Sequence, residues 1–274
     1  MDALPLLGGR GLGSAVRLGA VELGAVALES TAEFYERVIG LRLLRREGKV
    51  AALGAGAEEL VVLVEVGSSA APAGPHTGLF HLAILVPSRL ELARSLRRLE
   101  RERWAPTGYS DHLVSEAIYL EDPEGNGIEI YRDRPQAEWP LDGGHIRMAT
   151  EPLDLAGVLG EAAGESELPE RVADGTTIGH VHLRVADVAA AEAFWHEEVG
   201  LDVMARYGQA ASFLAAGGYH HHVGINSWGS AGAPPLPSGA PGLRQFELVV
   251  GDGDADRTLR DPSGNAVVLK DGAA

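Results

Sequence analysis

Cysteine is absent from all 274 residues. That absence excludes disulfides and thiolate metal sites, so any bound metal must take its donors from His, Asp or Glu. Such donors favour borderline to hard divalent ions. No run approaches the roughly 20 apolar residues needed to cross a bilayer. The N-terminus, MDALPLLGGRGLGSAVRLG, lacks the basic region and apolar stretch of a signal peptide. Positive charge is in the minority: 23 Lys and Arg against 39 Asp and Glu give a formal net charge of −16. This balance disfavours phosphate-backbone binding and suits a solvated, colloidally stable surface. A soluble, cytoplasmic protein with no nucleic-acid or membrane partner is expected. Hydrophobic residues at 45% and charged residues at 23% are ordinary for a globular chain. The length admits one large domain or two of ordinary size, with an ample core.

Internal repeats organise the chain. Residues 20–41 (AVELGAVALESTAEFYERVIGL) align with residues 180–201 (HVHLRVADVAAAEAFWHEEVGL) at an offset of 160, with Val21/Val181, Leu23/Leu183, Phe34/Phe194, Gly40/Gly200 and Leu41/Leu201 identical. Each segment reads as a short alternating strand and then an amphipathic helix ending at a glycine, which suits a left-handed helix exit. A second pair repeats as well: GLFHLAILV (78–86) with GLRQFELVV (242–250), and DPEGNGIEI (122–130) with DPSGNAVVL (261–269). The D-P-x-G-N signature is a turn, because Pro presets one φ angle while Gly and Asn tolerate positive φ. A strand follows it in both copies.

The predicted fold class is α+β. Four βαβββ modules, at roughly 19–68, 78–134, 177–228 and 242–271, form two curved, barrel-like mixed sheets with flanking helices. By domain, residues 1–140 hold the first pair of modules, 141–173 the connector, and 174–274 the second pair, whose last member is shortened. Only about ten residues separate Val250 from Asp261, too few for the helix and strands expected in the second module. Residues 227–242 read as a Pro/Gly loop.

Aligned positions locate the chemistry. His180 corresponds to Ala20, His81 to Gln245, and Glu129 to Val268. Candidate ligands therefore fall in the second and third modules and are missing from the first and fourth, which predicts one site per chain and requires modules 2 and 3 to share a sheet. The first strand of a module presents a His to one sheet face, and a facing module adds a second His and a carboxylate. Two imidazoles and one carboxylate leave metal positions open, as in the facial triad of non-haem Fe(II) oxygenases. Each residue also has a structural explanation: a His in FHLAILV as a hydrogen-bonded core residue, and Glu129 pairing outward with Arg132 or Arg134.

Other residues join the expected site. Strand alternation through YHHHVGIN (219–226) puts His220 and His222 on one face and His221 on the other. The step from Gly218 to His222 matches that from Gly125 to Glu129, so His222 is expected to point at the metal as a fourth ligand or acid–base group. His182 competes with His180 as ligand. His112 and Tyr119 are expected to hydrogen-bond substrate, with core packing the alternative for Tyr119.

The pieces GHVHLRVADV (179–188), LFHLAILVPSR (79–89), SEAIYLEDPEGNGIEIYRDRP (115–135) and GGYHHHVGINSW (217–228) together resemble the vicinal oxygen chelate superfamily, specifically its bacterial extradiol catechol 2,3-dioxygenases. The resemblance implies metal ligands at His180, His81 and Glu129, a catalytic His at His222 with His220 second, a site Tyr at Tyr119 and an outer His at His112. Two departures stand out. The best-known members carry their ligands in the order His, His, Glu within adjoining modules, whereas here His81 and Glu129 precede His180, so the module pairing is permuted; and the fourth module is short. The implied activity is extradiol cleavage of a small, catechol-like aromatic by O2 with Fe(II); Mn(II), Zn(II) and Ni(II) are the other metals considered. A glyoxalase-like isomerase or lyase and a metal-free, drug-sequestering binding protein are the alternatives. A homodimer is expected because symmetric dimers are common.

Overall fold

The two D-P-x-G-N turns close in the same way. Asp122 Oδ1 accepts from the Asn126 amide at 2.8 Å and its Oδ2 from Asn126 Nδ2 at 2.9 Å, while Asp261 and Asn265 repeat the pair at 2.9 and 2.9 Å. Gly125 and Gly264 take φ of 83° and 87°, values that only a residue without Cβ adopts easily. Each turn launches the last strand of its module. The Tyr35 hydroxyl donates to Asp122 Oδ2 at 3.1 Å, which fastens the first module to the second.

A computed structural model describes residues 12, 16–67, 74–143, 145–251 and 257–272. Most of the N-terminal stretch read above, and residue 68 at the end of the first module, lie outside them. The first module comprises β1 (Arg17–Ala25), α1 (Leu28–Phe34) continued by a wider turn to Ile39, β2 (Arg42–Glu47), β3 (Val50–Ala55) and β4 (Glu58–Glu65). The second comprises β5 (Gly78–Leu85), α2 (Arg89–Glu102), β6 (Gly108–Asp111), β7 (Ser115–Glu121) and β8 (Gly127–Asp133). A short ribbon, β9 (Leu141–Asp142) with β10 (His145–Ile146), and α3 (Leu155–Gly160) lie in the connecting stretch. The third module runs through β11 (Thr177–Arg184), α4 (Val188–Ala193), β12 (Asp202–Tyr207), β13 (Ala211–Ala215) and β14 (Val223–Asn226). The fourth contributes β15 (Gly242–Val250), β16 (Arg257–Arg260) and β17 (Ala266–Asp271).

Helix boundaries follow local chemistry. Ser88 caps α2 by accepting from the Glu91 amide at 3.2 Å, and Asp187 caps α4 through the Ala190 amide at 3.1 Å. Gly40 ends the first helix at φ 90°, and Gly200 follows the α4 region at φ 92°, the left-handed exit that the repeat alignment led us to expect.

The fold is α+β with mixed sheets. One sheet has the order β16-β17-β15-β1-β4-β3-β2 and the other β12-β13-β14-β11-β5-β8-β7-β6. Each sheet thus takes one module from either side of the connector: modules 1 and 4 share one, modules 2 and 3 the other. In the second sheet, Leu82, Ile84, Ile128, Ile130, Val181, Leu183, Val223 and Ile225 point to one face and join the main apolar core with the helices. Alternation then commits the intervening residues of β5, β8 and β11 to the opposite face. Those residues include His81, Glu129 and His180.

Candidate metal centre

β5 lies at the centre of its sheet, antiparallel to β11 and parallel to β8. Leu82 faces Val181, His81 faces His182, and Ala83 faces His180. The local twofold between the strands therefore equates His81 with His180. Each of these histidines directly follows a bulged residue, Phe80 in one strand and Gly179 in the other, where the register shifts. Bulges re-aim side chains next to sites, and here they turn both imidazoles toward one point. Gly179 has a further reason to be glycine: a Cβ there would lie 1.8 Å from the Tyr131 hydroxyl.

Across the row, Ala83 sits between His180 on β11 and Glu129 on β8. Its methyl group leaves space for the longer chains on either side. Glu129 Oε2 lies 3.0 Å from His81 Nε2 and 3.2 Å from His180 Nε2, and the two Nε2 atoms are 3.4 Å apart. Exposures are 6, 3 and 2% for His81, Glu129 and His180. Among the described residues these three form the cluster whose donor atoms all lie within metal-sharing distance.

The donor set fits a divalent ion. Three ligands about 2.1 Å from one ion, at roughly right angles to one another, are about 3.0 Å apart, close to the edges of this triangle. Protonation also suits ligation. Burial works to raise Glu129, but the imidazoles of His180 and His81 hold it well below the usual carboxylate range. Burial pushes His180 down to about 4 against the pull of Glu129. The site therefore offers a carboxylate at Glu129 and a neutral imidazole at His180, the forms that bind metal. His180 Nδ1 is buried without a hydrogen-bond partner; the rings of His221 and Tyr131 lie 4.1 and 4.9 Å away, centre to centre.

The pairing of Glu129 with Arg132 or Arg134 does not occur. Arg132 Nε donates to Glu116 at 2.7 Å and Arg134 holds Asp111 at 2.8 and 2.9 Å, which leaves Glu129 to the histidines.

Tyr119 faces Glu129 across the β7–β8 pair. His112 Nδ1 donates to the Ala149 carbonyl at 2.7 Å, so its Nε2 accepts from the Tyr119 hydroxyl at 2.6 Å. Burial, then the Glu129 charge, raises Tyr119 well above the ordinary phenol value and keeps its proton in place.

The His220–His222 run departs from the expected geometry. Gly217 and Gly218 turn at φ 64° and 75°, and strand β14 begins only at Val223, so strand alternation does not apply to the histidines. His221 places its ring 4.1 Å from that of His180. His222 instead accepts the Ala216 amide on Nδ1 at 3.2 Å and lies against Tyr219. His220 Nε2 contacts Asp133 Oδ1 at 2.9 Å. Counting from the glycine was also two residues out. Ile128 pairs with Leu82 and Val223 with Val181, both in parallel, so the counterpart of Glu129 is Gly224 rather than His222. The ring of His182 fills that space: a Cβ on Gly224 would meet it at 3.0 Å. His182 is not one of the converging donors. It contacts His81, Phe80, Phe213 and Trp228, and its Nε2 is buried without a partner.

Comparison with known proteins identifies the family. Residues 17–130 match the family model described as Glyoxalase/Bleomycin resistance protein/Dioxygenase superfamily. A catechol-2,3-dioxygenase of Bacillus subtilis (strain 168) is 42% identical over 239 residues, covering 85% of this chain and 82% of that protein. The chain belongs to the glyoxalase/bleomycin resistance protein/dioxygenase superfamily. Solved structures of similar fold include one from Bacillus subtilis subsp. subtilis str. 168, with TM-score 0.62 at 14% identity over 97% of this chain and 87% of that one. Glyoxalase I from Zea mays aligns with TM-score 0.58 at 17% identity, covering 94 and 92%. At such identities the likeness concerns the fold. Among the described residues, no helix is long and apolar enough to cross a membrane.

Proposed function

We propose that the protein is an Fe(II)-dependent extradiol dioxygenase that cleaves a catechol-like aromatic with O2. One observation carries the reading: two buried imidazoles and one buried carboxylate meet within 3.4 Å on a single sheet face, with the position equivalent to a fourth ligand held by glycine. The similarity to a catechol-2,3-dioxygenase over most of the chain supports the same reaction class.

His81, Glu129 and His180 would hold the metal, which when bound supplies a site where the two vicinal oxygens of the substrate and O2 gather. The rest of the chemistry falls to the chain. His221, beside His180, replaces His222 as the group we assign to take the proton of the substrate hydroxyl; burial holds it well below the usual imidazole value, so it stands neutral before substrate binds. Tyr119, held by His112, orients the substrate through its hydroxyl. Phe80, Phe213 and Trp228 pack around the His182 ring and give this side of the centre an aromatic wall.

The glyoxalase-like alternative uses four protein ligands, usually with a second carboxylate. Gly224 offers no side chain for that role, and the His182 ring stands in its place. Protein purified without oxygen should retain iron, take up O2 with catechol and form a yellow ring-cleavage product. Retention of another metal with isomerisation of a thiol adduct would instead establish the alternative, and tight ligand binding without metal would establish sequestration.

A further inference from the structure

Asp133 closes β8 four residues after Glu129, and its side chain remains partly exposed. Its Oδ1 is 2.9 Å from His220 Nε2, and its Oδ2 accepts from the Tyr219 hydroxyl at 2.8 Å. His220 Nδ1 in turn lies 2.8 Å from His221 Nδ1. A carboxylate only accepts, so His220 must carry its proton on Nε2. With the other His220 nitrogen, Nδ1, unprotonated, the short contact places a proton on His221 Nδ1. That leaves His221 Nε2 bare, and among the described residues no protein group is hydrogen-bonded to it. Tyr219 and Tyr131, whose hydroxyls are 2.8 Å apart, fix Asp133 from its other oxygen.

We propose that Asp133 and His220 are positioning residues that lock His221 in the tautomer with a bare Nε2. The inference rests on the dioxygenase reading only for what His221 then does. The arrangement follows the logic by which a buried aspartate sets the tautomer of a catalytic histidine in hydrolases. Here the carboxylate acts through an intervening imidazole. Without the lock, a side-chain imidazole tends to carry its proton on Nε2, where it cannot accept another.

The tautomer can be read in the resting protein. Full-length chain labelled with 15N-histidine and loaded with Zn(II) is examined by long-range 1H–15N correlation, with the His221 resonances identified by their loss in His221→Gln. The expected result is a protonated Nδ1 and a bare Nε2 on His221. A protonated Nε2 in the unaltered protein overturns the proposal whatever the variants do. In His220→Phe, which keeps a ring in place, His221 should shift toward the Nε2-protonated form. With iron and catechol, kcat for that variant should fall at least about tenfold while KM and metal content stay within about twofold. Unchanged tautomer and unchanged kcat in a folded His220→Phe would equally overturn it. The tautomer measurement uses no substrate, so an absence of ring cleavage would sink the dioxygenase reading and leave this result standing.

Discussion

Glu129 and Gly224 occupy equivalent positions, each one residue past the point where the last strand of its module crosses the dyad-related pair Leu82 and Val181. One carries the carboxylate of the triad; the other carries nothing, and the His182 ring lies over it. A symmetric pair of modules thus makes an asymmetric centre. The asymmetry decides how many positions on an ion remain for substrate. Gly224→Ala should force the new methyl into His182, a cost of about 1–3 kcal/mol of the overpacking kind. His182→Ala should relieve it, so a double-mutant cycle in urea should show favourable coupling of about 1 kcal/mol or more. Additive effects would mean that the ring does not depend on the glycine.

His81→Ala removes one of three donors and should reduce bound metal from about one ion per chain to below about a tenth, with far-UV circular dichroism unchanged. Ala83→Leu tests the same centre without touching a donor. A leucine between His180 and Glu129 takes the space their side chains cross, so metal retention should be lost there as well. Full metal content in either variant, measured by elemental analysis, would contradict the assignment.

Tyr119→Phe should leave metal content intact, because the phenol is not one of the three converging donors. The variant strands His112 Nε2 without the proton it accepts at 2.6 Å, which costs about 1–3 kcal/mol of stability. If the hydroxyl orients substrate, kcat with catechol should fall by about 10²-fold. A normal kcat would return Tyr119 to the role of packing residue.

Much of the centre was legible because repeats share backbone geometry. Aligning four modules showed which first strands carry histidine and which carry Ala20 or Gln245, and the sheet register equates the same positions. What failed was local. Parity works only inside a strand, and two left-handed glycines place His220, His221 and His222 in an irregular turn before β14. The Asp133–His220 contact spans 87 residues and leaves no spacing signature. Bulges at Phe80 and Gly179 are equally silent, since one extra residue in a strand looks like any other.

Acid should weaken the metal-free chain through its buried imidazoles. Burial, with His220 and His180 nearby, pushes His222 from 6.5 down to about 4, and His180 falls to about 4 in the same way. A folded-state value below the unfolded one means the unfolded chain binds protons first as pH falls. Stability is therefore fully present above pH 6.5, declines between 6.5 and about 4, and stops changing below that for these groups. The gap of 6.5 to about 4 corresponds to about 3 kcal/mol for one such buried histidine. Urea unfolding of EDTA-treated protein at pH 7, 5.5 and 4.5 should show the decline. His222→Asn removes one contributor and should make the slope shallower by a comparable amount. A variant with the same slope as the parent would show that His222 does not reach the folded state uncharged, and that its contact with the Ala216 amide does not depend on a neutral ring.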